Sequence, residues 1–198
     1  MKIYSSHLKS TLSFGHLGSN LRKPIFRSSA IFPCLSNKNI NTNILFLSYW
    51  MLKKNIPYVN LLITLREEFG KIIHREQLII SQAKSNKISL KKLLEKINYK
   101  NFFFGSIELE IFSSKDLVFP YPAMVLNYAS KESSTFVHSA GRVFNDMEDE
   151  NSNQEILVPE AGIDILPDKL FESFISFVNG PHQLKNEIIK IKIFKTKG

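Results

Sequence analysis

The sequence predicts an all-β protein, an antiparallel β-sandwich of jelly-roll or immunoglobulin-like kind with one or two short helices. Three observations carry that expectation. Several segments alternate apolar and polar residues with period two, the repeat that puts every second side chain on one face of a strand. Aromatic residues reach 12%, with 16 Phe, so large rings that suit a pleated interior are plentiful. The composition, 43% hydrophobic and 22% charged over 198 residues, is that of a core-forming globular chain.

From Lys2 to Leu35 the text is broken by Gly15, Gly18, Pro24 and Pro33 around short apolar pieces, which reads as short strands and loops. Asn43 to Trp50 is a dense apolar segment read as a strand, closed by a polar turn at Lys53, Lys54 and Asn55. Val59, Leu61, Ile63 and Leu65 then recur at every second position, the period of a strand. Glu67 to Gly70 reads as a hairpin loop into a second strand over Lys71 to Ile80.

One helix follows, peripheral and connecting. Ser89 is placed to cap it, and Leu90, Leu93, Leu94 and Ile97 fall on one face with Lys91, Lys92, Glu95 and Lys96 opposite. In Ser106 to Phe112 the residues Ile107, Leu109 and Ile111 predict a buried face, and Glu108 and Glu110 a solvent face. Pro120 and Pro122 flank Tyr121 at an expected bend before a strand from Ala123 to Tyr128. Thr135 to Phe144 reads as extended, Asp146 to Asn153 as an acidic loop, and Phe174 to Val178 and Ile188 to Phe194 as strands.

A shift of 128 positions superposes Phe174, Ile175, Ser176 and Phe177 on Phe46, Leu47, Ser48 and Tyr49, and Ile189, Ile191, Ile193 and Gly198 on Leu61, Ile63, Leu65 and Gly70. The expected organisation is therefore a sandwich domain over 1–160, then a linker and the first hairpin of a truncated repeat over 161–198. Such a hairpin must dock on the first domain or expose an edge through which chains self-associate.

Charge divides unevenly. Residues 1–100 carry 17 Lys and Arg against 4 Asp and Glu, and the rest carry 9 against 14, so the halves attract each other. The basic half admits nucleic-acid binding, a less favoured partner than a small ligand because Lys, Asn, Ile and Phe are abundant throughout. Cys34 is the single cysteine, which excludes an internal disulfide and a cysteine-based zinc site and makes the cytoplasm the expected compartment. Ile44 to Leu52 is too short to cross a bilayer, and residues 1–20 lack a signal-peptide pattern.

The densest polar constellation is His138, Arg142, Asn145, Asp146 and Glu160, the candidate ligand-binding residues. A histidine, a guanidinium and carboxylates near a strand end suit a glycan or another polar small molecule. His138 shares strand parity with Phe136 and Ala140, which predicts half-burial. The acidic run lacks the central glycine of a calcium loop, Ser139 sits in no nucleophile elbow, and Gly15 to Gly18 is too short to cradle phosphate, so neither a metal nor a cofactor is expected. Phe102 to Phe104, Tyr49 and Trp50 read as core. The sequence thus favours a non-catalytic binding module for carbohydrate. An enzyme joining His138, Arg142, Asp146 and Glu160 in one cleft is the alternative.

Overall fold

The computed structural model describes residues 25–117 and 123–138, together with Phe174, Ser176 and Val178. Their strands are β1 (Phe26–Ser36), β2 (Asn41–Leu47), β3 (Val59–Glu67), β4 (Ile72–Ile80), β5 (Ser85–Ser89), β6 (Phe103–Ser113), β7 (Met124–Ala129) and β8 (Ser134–His138). The helices are α1 (Tyr49–Lys54) and α2 (Leu90–Lys96). All pairings are antiparallel, as the all-β reading expects, and they join the strands into one eight-stranded sheet of order β4-β3-β6-β1-β2-β7-β8, with β5 on β2.

Pairing within that sheet is uneven. β6 is matched residue for residue with β1 along the whole of both strands, and β3 flanks it on the other side. The β1–β2 hairpin, by contrast, has a single partner pair, Ser36 with Asn41, beyond which β2 leaves to pair with β5 and β7. Two groups of strands, β4-β3-β6-β1 and β5-β2-β7-β8, therefore meet at one corner. Asn37 makes that corner tight, its Oδ1 accepting the N–H groups of Asn39 and Ile40 at 2.7 Å.

Past the corner, β1 has no further strand partner on that side among the described residues. Thr42, fully buried, closes its first step: its Oγ1 accepts from Leu35 N–H at 3.0 Å and donates to Leu35 C=O at 2.8 Å. The hydroxyl takes the place of the carbonyl that a longer ladder would bring. Pro33 lies two residues on and has no N–H to leave unpaired, while its C=O accepts the Tyr128 hydroxyl at 2.7 Å. A proline is thus tolerated inside an 11-residue strand because it stands on an edge, which is why a text that reads as broken folds as continuous β1.

Inward-facing residues of both strand groups belong to one hydrophobic core. Ala30, Phe32, Leu61, Ile63, Leu65, Ile107, Leu109 and Ile111 come from the first group, Ile44, Phe46, Ile88, Met124 and Leu126 from the second. The expected period-two strands at β3 and β6 are present, with Leu61, Ile63, Leu65, Ile107 and Leu109 at 0% exposure. α2 adds Leu90, Leu93 and Leu94, so the connector expected at the periphery is a wall of the core.

The segment read as one strand from Asn43 to Trp50 divides. Chain after Leu47 turns into α1, which ends on Asn55 in the left-handed region (φ 50°). Its Trp50 is buried against Phe46, ring centroids 6.1 Å apart, so the core reading of that ring holds although the element differs. β5 carries one buried residue, Ile88, too few for a legible alternation. Gly70, at φ 85°, supports the expected β3–β4 turn, donating its N–H to Glu67 C=O at 2.8 Å.

The Pro120–Pro122 bend, the domain boundary at 160 and the Ile188–Phe194 strand lie outside the described residues. So does the repeat, apart from Phe174, Ser176 and Val178. No helix among the described residues is long and apolar enough to cross a membrane.

Candidate functional site

Of the residues singled out in the sequence, His138 is described; Arg142, Asn145, Asp146 and Glu160 lie outside the described residues. His138 ends β8 opposite Val125. It is exposed rather than half-buried, as is Phe136 on the same face, because β8 is the last strand of the sheet path among the described residues.

A cleft of about 380 Å³ opens at the edge of β1 that no strand pairs with among the described residues. Phe32, Pro33, Cys34 and Leu35 of β1 form one side, Leu126 and Tyr128 of β7 with Val137 of β8 the other, and Phe104, Phe174 and Ser176 border it. The corner at Ser36–Asn41 explains why it exists: β2 pairs elsewhere, so side chains instead of a backbone ladder face the β1 edge. The lining is mostly apolar, and its side-chain hydroxyls belong to Tyr128 and Ser176. Burial, with the nearby Cys34 thiol adding to it, pushes the Tyr128 phenol up to about 12. Burial likewise pushes the Cys34 thiol well above the ordinary range, which keeps it protonated and unreactive.

A second cluster lies on the opposite face of β4-β3-β6-β1, where the sequence predicts solvent around Glu108 and Glu110. Glu108 is instead 4% exposed. Its carboxylate lies 2.7 Å from Arg66 Nη1, in an ion contact off the hydrogen-bond direction, and 3.7 Å from Arg27 Nη2. Arg27 Nε also donates to Glu110 at 2.9 Å. On the neighbouring strand Arg75 Nε donates to the fully buried Thr64 Oγ1 at 3.1 Å. Period two separates the two glutamates from the core but carries no information about the arginines that meet them.

A third polar row crosses β5, β2, β7 and β8. Asn41 Nδ2 donates to Asn43 Oδ1 and Ser89 Oγ, Asn43 Nδ2 to Asn127 Oδ1, and Asn127 Nδ2 to Ser134 Oγ. Asn43 and Asn127 are both buried, and their amides are spent on each other. This row holds strand register and has little capacity left for a ligand.

Among the described residues no group of three or more His, Cys, Asp or Glu is placed to hold a metal ion. Compared with known proteins, the chain matches no family model, no curated protein and no solved structure.

Proposed function

We propose that the chain is a non-catalytic binding module whose ligand enters the cleft at the open edge of β1, and that its two strand groups stack face to face as a sandwich over their shared core. The observation that supports the first part is the cleft itself: its volume falls in the range of small-ligand sites, and aromatic rings stand beside isolated hydroxyls. Phe104, Tyr128 and Phe174 offer faces on which a flat apolar ring can stack. Tyr128 Oη gives its proton to Pro33 and keeps lone pairs with which to accept from a ligand O–H or N–H. A sugar ring, with an apolar C–H face and a rim of hydroxyls, meets both demands, and carbohydrate is the ligand class of this reading. The lone free thiol of Cys34 favours the cytoplasm as the compartment.

A glycan array followed by saturation-transfer NMR on the retained sugar tests it. The expected result is saturation of one ring face in wild-type protein and its loss in Phe104→Ala, with bound sugar shifting the ring resonances of Tyr128. Retention of aromatic fragments but no glycan would keep the cleft and replace the ligand class. If neither is retained and the Tyr128 resonances are indifferent to both, the binding reading is wrong.

A further inference from the structure

β4 ends the sheet. It pairs with β3 along one side, and no strand covers its other side among the described residues. Natural sheets guard such edges with prolines, charged side chains, bulges or very short strands; Ile72–Ile80 is nine residues long and has no proline, and its guards are the charged Arg75 and Glu76 and one register shift beside Ile73. It also exposes large apolar side chains, with Ile79 at 66%, Ile72 at 46% and Leu78 at 36%.

The edge carries an unanswered charge. Arg27, Arg66 and Arg75 share a sheet face with Glu108 and Glu110, and the two carboxylates are taken by Arg27 and Arg66. Arg75 is exposed and has no carboxylate within ion-pair distance among the described residues. Its Nε is anchored on Thr64, which orients the guanidinium and leaves the two terminal nitrogens of the fork for another group. The carboxylate on β4 itself, Glu76, belongs to the other face, held by Lys96 at 2.6 Å and His74 at 3.1 Å.

We propose that the open edge of β4 takes up an extended acidic peptide segment of a partner protein as a further strand, with a carboxylate of that segment seated on Arg75. Main-chain hydrogen bonds supply attachment in this mode of recognition, and side chains at alternate positions supply choice. Charge argues against a second copy of the chain in the two central registers. Antiparallel pairing centred on Arg75 sets that residue against itself, and pairing centred on Glu76 does the same to the glutamate, each a repulsive arrangement.

The probe is a blocked peptide of the length of β4, alternating valine and threonine around one central glutamate, followed by fluorescence anisotropy and amide exchange. Binding is expected with slowed exchange confined to residues 72–80. Arg75→Gln, or a lysine in place of the peptide's glutamate, is expected to weaken it about fivefold, the size of a favourable cross-strand charge pair. Thr64→Val keeps the charge but releases the fork, and a smaller loss there supports the orienting role even if Arg75→Gln folds poorly. Equal affinity for the lysine peptide, protection mapping away from β4, or dimerisation of the chain through β4 in the absence of peptide overturns the proposal.

Discussion

Asn41, the first residue of β2, caps helix α2 from across the fold: its Oδ1 accepts Lys91 N–H at 2.9 Å while its Nδ2 donates to Ser89 Oγ at 3.2 Å. Ser89 occupies the cap position with extended backbone, as its sequence suggests, but its side chain makes no capping bond. The cap is therefore tertiary, and one amide ties the start of α2 to the polar row that crosses β5, β2, β7 and β8.

Asn41→Ala removes the acceptor of Lys91 N–H together with the first link of that row. Lost caps cost about 0.5–2 kcal/mol, and the expected destabilisation lies toward the upper end because Asn43 loses a partner as well. Ser89→Ala, which leaves Asn41 on Lys91, should cost less. Urea denaturation of the two variants decides the order. Equal losses would show that the cap is not where the destabilisation arises.

Glu108 gathers Arg27 and Arg66 on a face the sequence assigns to water. Removing one partner of a buried ion pair costs about 3–5 kcal/mol, whereas replacing both by apolar groups of similar volume is often neutral. Glu108→Gln should accordingly be strongly destabilising, and Glu108→Leu combined with Arg66→Met less so than Glu108→Gln. A double-mutant cycle built on denaturation midpoints measures the coupling. Simple additivity would mean that the contact contributes little.

Tyr128 titrates from about 12 in the folded chain, against 10.0 when unperturbed. The folded state favours the neutral phenol, so its contribution is fully present below about pH 10 and is lost as pH rises toward 12. Wild-type stability should fall across that interval more steeply than that of Tyr128→Phe. At pH 7 the same variant should be less stable than wild type by about 1–3 kcal/mol, since Pro33 C=O loses its donor. Denaturation curves at intervals from pH 8 to pH 12 follow both effects, and parallel curves for the two proteins would remove the phenol from the alkaline transition.

Much of the architecture was written locally. Alternation at Leu61, Ile63 and Leu65 and at Ile107, Leu109 and Ile111 predicts β3 and β6 with their buried faces, and the leucines from Leu90 to Leu94 predict α2. These are statements about neighbours two to four positions apart, which backbone geometry alone relates to a face. The site expected from the acidic run rests on His138 alone among the described residues, and that side chain stands exposed at the end of an edge strand.

Other features depended on registers that no local pattern specifies. Arg27 reaches Glu110 across 83 residues because β1 and β6 pair along their whole length, and burial of Glu108 follows from the same match. The cleft exists because β2 abandons β1 after a single partner pair, and Pro33 is accepted in β1 for that reason too. The sequence by itself determined the apolar spacing that gives β3, β6 and α2 a buried face. Only the tertiary structure decided which strand stands beside which, because burial of a charge, a side-chain cap and an open edge are properties of pairs of distant segments and not of either segment alone.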